Sequence, residues 1–140
     1  MSNTIRFQHD GRRLVIPIVL LPPFQGTDLT FVEASALIDT GATTSGITPR
    51  MVKSLSLESI GKRPLGSAHG DAQADRYIFR IGIHSETANG GQPRYPFIFD
   101  DVMGFGLKES FRLDALIGMD ILRQCEFRMD RSGACELQFG

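Results

Sequence analysis

The sequence has 140 residues and a formal net charge of −1, enough chain for one domain with its own core. So even a balance creates no field that would gather nucleic acid or an acidic membrane. No apolar run is long enough to span a bilayer, the first residues lack the charge–apolar–small order of a signal peptide, and two cysteines are too few for a disulfide framework; the expectation is a cytoplasmic, reduced, single-domain protein (1–140) with neither nucleic acid nor membrane as a partner.

In chain order, residues 1–13 read as a loose polar arm with room for a short strand at Ile5–Gln8. Leu14–Leu21 is a nearly continuous apolar run, and Pro17 inside it predicts an edge position or an irregular strand. Pro22-Pro23 and the turn Gln25–Asp28 end that run, and Leu29–Ile38 returns as the second strand of a hairpin. Gly46-Ile47 continues as a brief strand. Thr48-Pro49 then reads as a helix start, Thr48 as cap and Pro49 in the first turn, with Met51, Val52 and Leu55 at helical spacing.

Farther on, Tyr77, Phe79, Ile81 and Ile83 alternate as in a half-buried strand. The segment before that strand, Gly66-Ser67-Ala68-His69-Gly70-Asp71-Ala72, is small and glycine-rich, suited to the tip of a mobile hairpin; a lone loop histidine such as His69 is given no chemical role. Ser85–Pro93 is a polar surface loop, and Tyr95–Phe99 another strand. Asp100-Asp101, adjacent on a strand, should point to opposite faces, which disfavours a local acid pair. Gly104-Phe105-Gly106 reads as a turn. Leu113–Ile117 leads into a short helix over Met119–Gln124, and a last hairpin turns at Asp130–Gly133 with Cys125, Phe127 and Met129 on a core face. Alternating strands with few helical patterns make the chain all-β. The histidines and cysteines have no metal-site spacing, and no Gly-x-Ser-x-Gly elbow is present.

The chemistry concentrates in Ala36-Leu37-Ile38-Asp39-Thr40-Gly41-Ala42. An apolar strand end runs straight into an acid, a hydroxyl and a glycine. Burying an ionised Asp there without partners would cost several kcal/mol, so Asp39 is either well paired, protonated part of the time, or placed where a second charge shares its proton. Gly41 permits a tight turn and close approach of another backbone. An acid held this way is a candidate for catalysis. The plainer reading is a turn in which Asp39 caps its own backbone.

Leu37-Ile38-Asp39-Thr40-Gly41-Ala42 resembles the catalytic loop of the single-lobe, retropepsin-like aspartic proteases, and Ala115-Leu116-Ile117-Gly118-Met119-Asp120-Ile121-Leu122 resembles the later segment that supports that loop. Retroviral members often pair an Asp after the Ala with an Arg after the late Gly; here those positions are Thr43 and Met119, so both partners are absent together. The resemblance implies a closed all-β acid-protease barrel lobe with one or two short helices. It implies Asp39 as the catalytic acid, with Thr40, Gly41, Ala42 and Gly118 supporting its loop, and Gly66–Ala72 as a flap over substrate. No cofactor or metal is called for. One acid motif per chain and a reaction that uses two carboxyls imply a homodimer, the second Asp39 coming from the partner, acting on extended peptide or unfolded protein. Two rivals stand beside this reading: a dimerising, peptide-binding module with little or no turnover, and a β-rich structural protein.

Overall fold

The computed structural model describes residues 3–23, 30–65, 72–86 and 94–140. Its elements run β1 (Asn3–Gln8), β2 (Val15–Leu21), β3 (Val32–Ile38), β4 (Gly46–Ile47), α1 (Pro49–Ser54), β5 (Lys62–Leu65), β6 (Ala72–Ile83), β7 (Ile98–Gly106), β8 (Ala115–Ile117), α2 (Met119–Leu122), β9 (Glu126–Met129) and β10 (Ala134–Phe139). Among the described residues no helix is long and apolar enough to cross a membrane.

Strands β2, β3, β8, β4, β7 and β6 pair in that order, and β6 pairs back onto β2 through Ile18↔Ile83 to Leu21↔Arg80. Six strands thus close into a barrel, and closure removes the sheet edges. Its interior is the apolar alternation of the sequence made solid: Ile16, Ile18 and Leu20 from β2, Phe79, Ile81 and Ile83 from β6, and Ile47 and Ile117 are all fully buried. Each such side chain contributes about 1.5–3 kcal/mol by leaving water. Strand β5 extends the sheet beyond the barrel by pairing with the first residues of β6. Pro17 is tolerated because β6 pairs β2 only from Ile18 onward, so no ladder bond is asked of the proline nitrogen; its carbonyl still accepts from His84 N–H at 3.4 Å.

A second, three-stranded sheet has the order β1-β10-β9, all antiparallel. Residues 3–8, expected within a loose arm, are therefore a strand, held from Asn3↔Phe139 to Gln8↔Ala134. On its other side β1 meets Glu86, whose N–H donates to Thr4 O at 2.8 Å and whose carboxylate accepts from Arg6 N–H at 2.9 Å.

Other expectations need correction. Gly104-Phe105-Gly106 is strand, not turn. Glycine is required there by contact: a Cβ on Gly104 would lie 2.8 Å from the Phe79 ring and 2.9 Å from Ser45 O. Asp100 and Asp101 do not point to opposite faces. The β6–β7 register passes from Phe79↔Val102 to Ile81↔Phe99, so both acids stand opposite the single residue Arg80, a bulge in which Asp101 takes a φ of 50°. Met129 is 54% exposed rather than part of the core face. Thr48 occupies the N-cap of α1 and Pro49 its first turn, but the Thr48 hydroxyl makes no capping bond; its backbone carbonyl receives the N–H groups of Met51 and Val52.

Candidate active site

The loop carrying Asp39 is positioned by a parallel pairing. Strands β3 and β8 align Ala36↔Ala115, Leu37↔Leu116 and Ile38↔Ile117. The same tripeptide, Ala-Leu-Ile, lies on both sides of this ladder, with its alanine and isoleucine buried in each case. Parallel strands in register end together, so the next residues, Asp39 and Gly118, emerge at one end of the barrel. Asp39 N–H extends the ladder by donating to Ile117 O at 2.9 Å.

Beyond that bond the chain turns sharply. Ala42 N–H donates to Asp39 O at 3.2 Å, and Gly41 N–H donates to Asp39 Oδ1 at 2.9 Å. A Cβ on Gly41 would stand only 3.2 Å from that oxygen, so glycine keeps the turn against the carboxylate. Asp39 is half-buried, and Thr40 and Gly41 are exposed. Among the described residues Asp39 Oδ2 accepts no hydrogen bond.

Gly118 and α2 brace this loop from behind. Met119 N–H donates to Ala42 O at 2.7 Å and Asp120 N–H to Thr43 O at 3.1 Å. The approach is so close that a Cβ on Gly118 would lie 2.8 Å from Ala42 O and from the Thr44 carbonyl carbon. Ser45, fully buried, completes the contact. Its hydroxyl donates to Asp120 Oδ1 at 2.7 Å and accepts from Gly118 N–H at 3.1 Å, while its N–H donates to Asp120 Oδ2 at 3.1 Å. The pairing missing at Thr43 and Met119 is thus replaced by Ser45 and Asp120. The sequence reading quoted Asp120 only as part of the late segment and gave neither residue a role. The available signals were an acid in the first turn of α2 and the hydroxyl run Thr43-Thr44-Ser45.

Of the expected flap residues, Gly66, Ser67, Ala68, His69, Gly70 and Asp71 lie outside the described residues. Ala72 begins β6, and its backbone pairs with Leu65 at the end of the β5 ladder. The polar loop expected after Ser85 likewise lies outside the described residues from 87 to 93. Among the described residues no group of three or more His, Cys, Asp or Glu is placed to hold a metal ion. A cleft of about 520 Å³ opens on one side of Thr44, and the bulged Asp100 and Asp101 both line it, together with Asp120 and Arg123.

No family profile matches the sequence, and no curated protein matches it. The fold does have solved counterparts. A crystal structure of a retropepsin-like aspartic protease from Rickettsia conorii superposes with a TM-score of 0.65 at 15% identity, over 99% of this chain and 93% of that one. The retroviral protease-like domain of Ddi1 from Leishmania major aligns over 85% of this chain and 82% of its own at 15% identity, with a TM-score of 0.49. With its six-strand barrel, its two short helices and a near full-length superposition on the rickettsial structure, the chain has the fold of a retropepsin-like lobe.

Proposed function

We propose that the chain is an aspartic endopeptidase that acts as a homodimer, each protomer supplying Asp39. The observation that carries this reading is the loop itself. Asp39 stands at the end of an in-register parallel pair, with one oxygen fixed by Gly41 N–H and the other without a hydrogen bond among the described residues. A loop of a turn-capping acid alone would not call for the bracing that Gly118, Ser45 and Asp120 provide.

Two Asp39 carboxyls brought together share one proton, because both cannot ionise side by side. The ionised one takes a proton from water while the protonated one polarises the peptide carbonyl. Thr40, exposed beside Asp39, supports the loops across the two-fold axis, and Gly41 leaves room for the substrate backbone, which binds in extended form. Gly66–Ala72 serves as the flap that excludes water and completes the site.

The test is turnover of unfolded protein or a peptide library by wild type and by Asp39→Asn. Mixed dimers with one Asn should be as inactive as the double variant, since the pair acts as a unit. The rate should be bell-shaped in pH, with two apparent values belonging to the pair, and should fall on dilution below the dimer dissociation constant. Full turnover by a verified monomer or by Asp39→Asn would reject the mechanism. Peptide binding without turnover in wild type would leave the dimerising module as the better description.

A further inference from the structure

A second cleft of about 580 Å³, which shares Thr44 and Met103 with the first, is lined by Thr44, Arg63, Pro64, Arg76, Met103 and Phe105. We propose that this cleft recognises an acidic side chain, Asp or Glu, of an extended peptide bound past the Asp39 loop. The proposal names the substrate class for the proteolytic reading above and rests on that reading for turnover, though not for binding.

The sheet register puts the lining on one face. Arg63 pairs with Ala74, and Arg76 is two residues on along the same strand; Arg76 pairs with Phe105, and Met103 is two residues back. Antiparallel partners and alternate residues share a face. Two guanidinium groups therefore overhang a floor of Met103 and Phe105. The wall opposite is Thr44, and the neighbouring Ser45 O accepts Phe105 N–H at 3.0 Å, which ties the Asp39 loop to that floor.

The two arginines have charge to give. The ion pairs among the described residues involve Arg6, Arg13 and Arg50, and among the described residues neither Arg63 nor Arg76 has a carboxylate oxygen within 4.0 Å. Arg76 directs one guanidinium nitrogen at the Met103 sulfur, a weak acceptor that leaves its other donors open. The adjacent Asp75 belongs to the opposite face, where it pairs with Lys62 in the ladder and accepts from Ser59 Oγ at 2.9 Å. A planar guanidinium matches a carboxylate with two parallel bonds, and the thioether and ring below suit the methylenes of Glu or Asp. The adjoining cleft, with Asp100, Asp101 and Asp120 against the single cation Arg123, disfavours the same side chain, so the acidic residue is directed to the arginines.

Matched peptides carrying Glu, Gln or Lys at each position around a cleavable bond test the proposal, with kcat/KM measured on wild type and binding measured by fluorescence anisotropy on Asp39→Asn. At one position Glu should be preferred over Gln by about tenfold or more, the range expected for a charge-assisted bond. Arg63→Gln and Arg76→Gln should each weaken that preference, and the double variant Arg63→Glu/Arg76→Glu should turn it toward Lys; thermal melts confirm that each variant is folded. Charge-selective binding without turnover supports the cleft and overturns the protease. Turnover indifferent to charge at every position, or a turnover preference for Glu that survives the double reversal in folded protein, overturns the cleft and leaves the protease standing; charge-indifferent binding without turnover overturns both. Neither binding nor turnover of any peptide overturns both.

Discussion

Asp120→Ala is the perturbation that most directly probes how the Asp39 loop is held. The Asp120 carboxylate accepts three bonds: Ser45 hydroxyl at 2.7 Å, Ser45 N–H at 3.1 Å and Ile121 N–H at 3.0 Å. Bonds to a charged group are each worth about 1.5–3 kcal/mol net when buried, and a buried donor left without a partner costs about 1–3 kcal/mol. Ser45 is fully buried and its N–H has no second acceptor nearby among the described residues, whereas Asp120 is half-exposed and water can serve Ile121. Weighing the two, the loss should be about 3 kcal/mol, which lowers the melting temperature of a domain this size by roughly 10 °C. Asp120→Asn keeps the shape and one acceptor oxygen but turns an NH2 group toward a Ser45 donor, so about half that loss is expected. Urea denaturation of Asp120→Ala, Ser45→Ala and the double variant closes a cycle, and the two effects should be coupled by about 1 kcal/mol or more. Strict additivity, or a melt for Asp120→Ala within about 2 °C of wild type, would refute the brace.

Other outcomes follow from contacts of similar definition. Gly118→Ala should cost about 1–3 kcal/mol by overpacking, because the added Cβ meets backbone of Ala42 and Thr44 at 2.8 Å and no side chain can give way; denaturation midpoints check it, and activity should fall further than stability. Burial pushes the Cys125 thiol up from an ordinary 9.0 to about 11, so the unfolded chain loses that proton first, and stability, fully present below pH 9, should decline as pH rises from 9 to about 11. At pH 8 an alkylating reagent should therefore label Cys125 slowly in folded protein and quickly in urea, as mass spectrometry of the labelled peptide would register.

The parts of the site that were legible in the sequence are those set by local pattern. The apolar run ending in Asp39-Thr40-Gly41 and the run ending in Gly118 were both readable, because a buried strand that stops at an acid or a glycine is marked by its own residues. The helix starting at Pro49 was readable for the same reason. What was not legible depends on partners far away. Ser45 and Asp120 are polar residues of common type until the fold sets them 2.7 Å apart. Asp100 and Asp101 should alternate by strand periodicity, and only the extra residue in β7 opposite Arg80 turns both toward one cleft. Met129 satisfies the alternation of a core strand, yet it stands more than half exposed.

The brace between Ser45 and Asp120 joins residues 75 apart in the sequence, and the ladder under it joins the two Ala-Leu-Ile segments across a comparable span. Pairings of such separation bear the entropy of closing a long loop before any contact rewards them. The bracing behind the Asp39 turn therefore exists only once β8 and α2 have docked against β3. While the chain is still being synthesised, or once β8 has peeled away, the aspartate is an ordinary residue on a strand end with nothing behind it. Whatever Asp39 does is switched on by completion of the barrel, so its competence serves as an internal report that folding has finished.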